Sequence, residues 1–386
     1  MTGSIRRIDK VLNSKTVKKI NKGGSMKNLT VNYFPYKPGS NPYQRLFADC
    51  LENSGITINR IAPKKIFPLY FASQGEPDFI HLDWPHDFYA GRNIFTRTLK
   101  TLMYYAGLKK IKNKKVVWTA HNLVAHNSED IIREKKMIQK LIDVCDGIFL
   151  LSESSRKQLF DVYEINPKTI VEVSTLCHYI DSYKNTISKS DAKRHFKNLR
   201  KHVFLHVGRI QPYKGTLNLL RQFNKLNDLD STLIIAGKVD RDEFHKQILL
   251  EVEACRSRNL DVRFEDKFVK DDDFQIYFNA ADFVVLPFEK ILNSGSALLA
   301  MSFGKIIIAP NIGALSEVIP DFGWVSYEGD SNNLLSALKI ALKHGEIDTI
   351  EHEIIEYTKR IFDWSYNGRK VQSLYRKIID VNKKGG

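Results

Sequence analysis

The segment His206-Val-Gly-Arg-Ile-Gln-Pro-Tyr-Lys-Gly-Thr216 combines the groups that a diphosphate requires. Arg209 is a forked donor, Lys214 is a point charge, and Gly208 lets backbone approach a ligand closely. An apolar run (203–207) precedes it and a helical run (217–223) follows. The two cations therefore stand at a strand-to-helix turn, where a helix N-terminus adds partial positive charge. A plain corner with surface cations would carry the same residues. A second loop, Asn293-Ser-Gly-Ser296, offers Asn293, Ser294 and Ser296 to hydroxyls or phosphate oxygens, with Gly295 for close backbone approach. Capping of the following helix is the competing reading of that loop. A third run, Val117-Trp-Thr-Ala-His-Asn, brings His121 out at the C-terminal end of a strand, the ligand-binding edge of parallel α/β sheets. His121 could meet a sugar or the charge developing on a leaving group; a loop histidine without function competes. His126 follows five residues later and lacks the i, i+4 spacing of a helical metal pair. His81-Leu-Asp-Trp-Pro-His86 is another strand-end cluster, without a third and fourth metal ligand. Ser152-Glu-Ser-Ser155 opens a helix and reads as its cap before it reads as an anion site.

These residues need a frame, and the pattern supplies one. Leu29–Phe34, Asp78–Leu82, Val116–Ala120 and Gly147–Leu151 are short apolar runs separated by helical patterns. Asn41 and Pro42 are suited to start the first helix. Residues 184–202 are polar and read as a linker. The alternation then resumes with Val203–Val207, Ser231–Ala236, Asp261–Phe264, Phe283–Pro287 and Lys305–Ala309. Such alternation predicts parallel sheets covered by helices, here as two α/β, Rossmann-like domains facing a cleft. The expected division is a basic extension over 1–25, a first domain over 26–190, a second over 191–365, and a terminal helix over 366–386.

Length and composition bound the chemistry. The chain has 386 residues, enough for two domains with sizeable cores. Its four cysteines are far apart, which excludes a zinc ribbon or a disulfide scaffold and suggests a reducing cytoplasm. No stretch reads as a spanning helix or a signal peptide. Gly-x-Ser-x-Gly, Walker and Gly-x-Gly-x-x-Gly motifs are missing, which argues against hydrolases, kinases and nicotinamide enzymes. The net charge of +15 favours anionic partners. Residues 1–25 hold seven cations against Asp9, with Met26 an alternative start. A second basic cluster runs from Arg92 to Lys115. Within it Phe95, Leu99, Leu102, Met103 and Ala106 form an apolar helical stripe that core packing explains. Its flank of Arg92, Arg97, Lys100, Lys109 and Lys110 fits a phospholipid surface.

From Val207-Gly-Arg-Ile-Gln-Pro-Tyr-Lys-Gly215 onward the chain resembles the C-terminal domain of GT-B glycosyltransferases, in particular the group 1, family 4-like set. Leu233-Ile-Ile-Ala-Gly-Lys238, Phe278–Pro287, Ala300–Val318 with its Gly-x-x-x-Glu turn, Gly329-Asp330 and Asp363-Trp-Ser365 follow in the family's order. The resemblance implies GT-B architecture and transfer of a hexose from a nucleoside-diphosphate sugar to a glycan or glycolipid acceptor in surface polysaccharide synthesis. It implies Arg209 and Lys214 on the departing diphosphate, His121 on the acceptor side, and Gly208, Gly237, Lys238, Asn293, Ser294, Gly295 and Ser296 around the donor. No cofactor and no metal is expected, and no nucleic acid. The enzyme would sit in the cytoplasm on the inner, anionic membrane face. The chain departs from the pattern at one place: Ile291 and Leu299 stand where retaining members carry two glutamates eight positions apart. The rival readings are a sugar-nucleotide epimerase on the same fold and a non-enzymatic binder of anionic membrane or nucleic acid.

Overall fold

The computed structural model describes residues 29–384, except positions 38, 40, 65, 92, 125–129, 330 and 346. The basic extension, the alternative start at Met26, Arg92 and His126 lie outside the described residues. The chain divides into two compact units. One holds residues up to Leu176 together with those from Trp364 onward; the other is Cys177–Asp363.

The first unit contains β1 (Thr30–Phe34), β2 (Thr57–Arg60), β3 (Phe79–Leu82), β4 (Val116–Thr119), β5 (Gly147–Leu150) and β6 (Ile170–Val173). They form one parallel sheet in the order β2-β1-β3-β4-β5-β6. The three central strands β3, β4 and β5 are buried along their whole length, which is why each reads as an unbroken apolar run. The last helix, Trp364–Lys384, belongs to this unit. Tyr375 stacks on Phe79 with centroids 4.4 Å apart, and Lys370 and Lys377 both bond Glu172 on β6.

The second unit contains β7 (His202–Val207), β8 (Ser231–Ala236), β9 (Asp261–Glu265), β10 (Phe283–Val285), β11 (Ile306–Pro310) and β12 (Trp324–Tyr327). They form a second parallel sheet in the order β12-β11-β10-β7-β8-β9. The chain builds outward from β7 to β9, then returns to β10 on the other side. This reversal, flanked by the loops after β7 and β10, is where parallel α/β sheets bind ligands, outside the carboxyl ends of the strands. In the first unit the reversal lies between β1 and β3.

Three findings depart from the sequence pattern. Strands β2, β6 and β12 were not expected from apolar runs, and all three lie at sheet edges with half-exposed residues. The polar stretch 184–202 is not a linker but part of the second unit. Its helix Lys189–His195 buries Ala192, both Lys189 and Lys193 pair with Asp282, and Gln275 accepts from the Thr186 and Ile187 amides. The chain passes between units at Leu176–Cys177 and again at Asp363–Trp364. Finally, the stripe on the helix Ile94–Ile111 is not core. Phe95 is 74% exposed and Leu102 62%, with Leu99 exposed beside them; of the five stripe residues only Met103 is buried.

Each sheet encloses one buried histidine. Burial pushes His81 down to about 4 against the opposing charge of Asp83, and pushes His206 down to about 4 against the Val285 carbonyl. The unfolded chain takes up both protons near pH 6.5, whereas the folded chain resists until about 4. Stability is therefore complete above the unfolded value and is lost as pH falls from 6.5 towards 4, by roughly 3 kcal/mol per histidine at most. Thermal midpoints measured across this window should fall with acid in the wild type and fall less steeply in His206→Gln. Equal slopes would contradict the buried neutral state of His206.

Candidate active site

The loop after β7 is fixed from several sides. His206 donates from Nδ1 to the Val285 carbonyl (2.9 Å) and accepts at Nε2 from the Thr216 hydroxyl (3.0 Å). One neutral imidazole thus ties β7 to β10 and to the start of the helix Thr216–Leu226. Gly215 has φ +73°, and a Cβ there would stand 1.9 Å from the Pro287 oxygen. Gly237, at the end of β8, is packed as tightly: a Cβ would stand 1.8 Å from the Gly208 oxygen. Gly237 therefore serves by letting two loops touch. Lys238 is committed to Asp266 (3.2 Å).

Arg209 is largely exposed and donates from Nε to Asp240 Oδ2 (2.7 Å), which Gln211 also bonds (2.8 Å). Burial would raise the Asp240 pKa, but these two donors hold it below the usual carboxylate range. Lys214 is half-buried in the one-turn segment Pro212–Lys214, and its ammonium has no hydrogen-bond or ion-pair partner among the described residues. Its Nζ lies 3.7 Å from where a Cβ on Gly208 would be. Burial and the positive charge of Arg209 push Lys214 down to about 8, with Asp240 opposing. Two cations held near each other, one without a counter-ion, make a place for an anion.

The loop after β10 stands on the other side of the reversal. Ser294 is buried and caps the helix Gly295–Ser302, its Oγ accepting from the Ala297 amide (3.1 Å). Its expected donor contact competes with this bond. Asn293, Gly295 and Ser296 are half-exposed, and a Cβ on Gly295 would lie 3.4 Å from Tyr179 Oη. The structure thus gathers Gly208, Arg209, Lys214 and Asn293–Ser296 on loops flanking one reversal, and places Gly237 and Lys238 one strand further out.

His121 follows β4 in the first unit. It donates from Nε2 to Asp83 Oδ1 (3.1 Å), and Asp83 is wholly buried just beyond β3. Tyr33 Oη and Gln44 Nε2 (3.3 Å) both donate to Asp83 Oδ2. Burial pushes the Asp83 pKa up, but the charge and hydrogen bond of His121 outweigh it and hold it below the usual range. His81 exchanges hydrogen bonds with Tyr375 Oη (2.7 Å) and Thr119 Oγ1 (2.6 Å) and stays neutral. Ser152 is a cap, accepting from the Ser155 amide. The sequence reading missed Asp83 and Asp240 as partners of His121 and Arg209. The signal available for Asp83 was its place two residues past His81, on the same face of the strand. Among the described residues, no group of three or more His, Cys, Asp or Glu is placed to hold a metal, and no helix is long and apolar enough to cross a membrane.

Two parallel six-stranded α/β units, each with a strand-order reversal, have the GT-B fold. Residues 201–344 match the family model described as Glycosyl transferases group 1, and this match and the relatives below support a glycosyltransferase of that group. A GDP-mannose:glycolipid 4-beta-D-mannosyltransferase from Xanthomonas campestris pv. campestris is 25% identical over 325 residues, 81% of this chain and 83% of that one. A lipopolysaccharide 1,2-N-acetylglucosaminetransferase from Salmonella typhimurium is 27% identical over 188 residues, 45% of this chain and 47% of that one. Sucrose-phosphate synthase from Thermosynechococcus elongatus shares the fold with a TM-score of 0.69 at 16% identity, over 92% of this chain and 100% of that one. Anabaena HepE, solved with UDP and glucose, gives 0.65 at 14%, over 89% and 98%. The epimerase and non-enzymatic readings are set aside by the family and these relatives.

Lys214 carries a testable consequence. It is charged below about pH 8 and loses its proton above. Affinity for UDP or GDP, measured by calorimetry, should decline as pH rises through 8, and Lys214→Arg should flatten the decline. A flat wild-type profile between neutral pH and pH 9 would remove Lys214 from the anion site.

Proposed function

We propose that this transferase moves a hexose from a nucleoside-diphosphate sugar to a hydroxyl of a lipid-linked glycan in surface polysaccharide synthesis, while attached to the inner face of an anionic membrane. The observation that carries the donor half is the clamp: Arg209 and Lys214 repel each other on a loop locked by Gly215 and Gly237, and a diphosphate relieves that repulsion. Charge accumulates on the diphosphate as the sugar leaves, so the clamp stabilises the transition state more than the ground state. Asn293 and Ser296 supply neutral hydrogen bonds to the sugar or phosphates. The two cations do the charge work, and no divalent metal is required. His121 acts on the acceptor. A lipid-linked acceptor is supported by relatives whose names specify a glycolipid and a lipopolysaccharide.

The membrane half rests on the exposed face of the helix Ile94–Ile111. Ile94, Phe95, Leu99 and Leu102 are exposed there, and Phe67 and Tyr70 on the neighbouring segment add to the apolar surface. Leu69 fills the space beside Gly107, and Lys110 lies over the Tyr70 ring (5.6 Å), so the two helices share this side. Arg97, Lys100 and Lys109 flank it. Apolar side chains with basic neighbours suit the boundary between headgroups and acyl chains.

Two measurements test these halves. A panel of UDP, GDP and ADP sugars should give turnover that survives chelator, and Arg209→Ala and Lys214→Ala should each lose about 2–4 kcal/mol of transition-state stabilisation with the fold intact. Near-normal turnover in both variants would sink the clamp, and chelator-abolished activity restored by Mg²⁺ or Mn²⁺ would sink the metal-free mechanism. In vesicle sedimentation, full-length protein should bind anionic vesicles more than neutral ones and lose binding with salt. Phe95→Ser with Leu102→Ser should weaken that binding. Equal binding to both vesicle types, or none to either, would exclude electrostatic attachment.

A further inference from the structure

We infer that Trp84 is a substrate-binding residue of the first unit, and that the group it takes is a pyranose of the acceptor: the sugar ring lies on the outer face of the indole, and one of its hydroxyl oxygens accepts from Nε1. The inference rests on the transferase reading above and adds the residue that receives the acceptor and the chemistry it selects.

Trp84 stands where the chain leaves β3, beside the strand-order reversal between β1 and β3. Ligands of parallel α/β sheets bind at such a place. The residues on either side of it are pinned. The Asp83 amide donates to the Phe34 carbonyl (2.8 Å), and the wholly buried Asp83 carboxylate accepts from Tyr33, Gln44 and His121. Pro85 and Phe88 are buried in the one-turn segment Pro85–Phe88, and Phe88 stacks on Phe34 with centroids 5.2 Å apart. Between these anchors Trp84 is held at φ +27° and ψ +70°. That backbone is costly on two counts. A bulky side chain disfavours positive φ, and a residue before proline favours an extended conformation. Glycine or asparagine would make the same turn with less strain. Strain persists only where the surroundings enforce it, and it clusters at binding sites.

The strained turn sets the indole against His121, with ring centroids 4.2 Å apart and planes 15° apart. Tyr43 stands edge-on to both rings, 4.7 Å from the imidazole and 5.9 Å from the indole. Those distances put Tyr43 beside the imidazole, not over the far face of the indole. Trp84 makes no other ring contact among the described residues, and its Nε1 makes no hydrogen bond among them. Trp324 in the second unit differs: its Nε1 donates to the Ala309 carbonyl (3.1 Å). Trp84 is thus half-buried, backed on one face by an imidazole, and left with an unused donor on its rim.

An aromatic face with a donor on its rim suits a ligand that is apolar on one side and hydroxylated around its edge. A pyranose is built that way, with C–H groups on its faces and hydroxyl oxygens around them. An alkyl chain offers no acceptor to Nε1. A phosphate or carboxylate would be drawn up beside Asp83, which stays ionised because the charge and hydrogen bond of His121 outweigh its burial, and like charges repel. A neutral sugar hydroxyl meets no such penalty. A nucleobase would stack too, and the experiment separates it.

The test uses the full chain with GDP-mannose, UDP-glucose and UDP-N-acetylglucosamine as donors and octyl glucoside and octyl mannoside as acceptors. Trp84→Phe keeps an aromatic face and loses the donor, and it should raise acceptor KM about 3–10-fold. Trp84→Ala loses both and should raise it about tenfold or more. UDP and GDP dissociation constants, by calorimetry, should stay as in the wild type. Tryptophan emission supplies a readout that needs no turnover. The chain has four tryptophans, and methyl glucoside or methyl mannoside should shift the wild-type emission but not that of Trp84→Phe. Octanol, UMP and GMP should give no shift that depends on Trp84. Thermal unfolding checks that the variants are folded; should Trp84→Ala not fold, Trp84→Phe and the emission decide. Folded variants that lose kcat alone, with acceptor KM unchanged, overturn the inference, as does a Trp84-dependent shift produced equally by octanol or a nucleotide. No Trp84-dependent shift with either glycoside overturns it too, and active transfer then leaves the transferase reading standing. No transfer by the wild type, with that shift present, counts against the hexose-transfer reading and upholds the pyranose site.

Discussion

No side chain fits at position 237. The carbonyl of Gly208 occupies the space a Cβ would take, and at position 215 the carbonyl of Pro287 does the same. These two backbone contacts press the loops after β7, β8 and β10 into one surface, and His206 bolts it together from below. The rigidity matters because of what the surface carries. On a soft loop, Arg209 and Lys214 would swing apart and take up water. Held as they are, they keep an unrelieved repulsion that lowers the Lys214 pKa. The glycines thus do electrostatic work without carrying charge: they make relaxation expensive, so that binding an anion becomes the favourable response.

The first unit meets the opposite requirement. Asp83 is a buried negative charge, and a buried charge survives only with enough donors. Tyr33 from β1, Gln44 from the helix Tyr43–Glu52 and His121 from beyond β4 provide them. Removing one donor would leave the charge under-compensated, so strand, helix and loop are bound to the same carboxylate. That coupling makes the orientation of His121 a property of the whole sheet edge.

How much of this was legible depended on the distance over which meaning is made. The clamp segment could be read because strand, turn and helix lie within a dozen residues, and buried parallel strands announce themselves as apolar runs. Edge strands such as Thr57–Arg60 could not, since only part of each is covered. The stretch 184–202 looked like a linker because polarity was taken for exposure, whereas Lys189 and Lys193 are satisfied by Asp282. The stripe from Phe95 to Ala106 shows the limit of periodicity. Spacing shows that a helix has an apolar face, but not which side meets the sheet; here Met103, Tyr104, Gly107, Leu108 and Ile111 face inward. Asp83 was present in a noticed cluster. Its importance comes from Tyr33, 50 positions away, and His121, 38 positions away, and no local pattern contains that.

The net charge of +15 gave a correct direction for an insufficient reason. Many cations among the described residues sit in exposed pairs such as Lys37–Asp87 and Arg194–Asp191, which contribute about 0–1 kcal/mol each. A charged contact made only as charge develops on a leaving group is worth about 2–4 kcal/mol. The difference lies in whether a cation already has a partner and whether water can reach it. Lys214, half-buried and without an ion pair among the described residues, meets both conditions. Arg209 meets the first only in part, since Asp240 holds Nε and no other hydrogen bond from its guanidinium is made among the described residues. That division suits a clamp: Asp240 orients the arginine fork, and the lysine supplies the charge that a departing diphosphate would neutralise. The site is thus defined less by how many positive charges the chain carries than by a half-buried one, Lys214, that has no ion pair among the described residues.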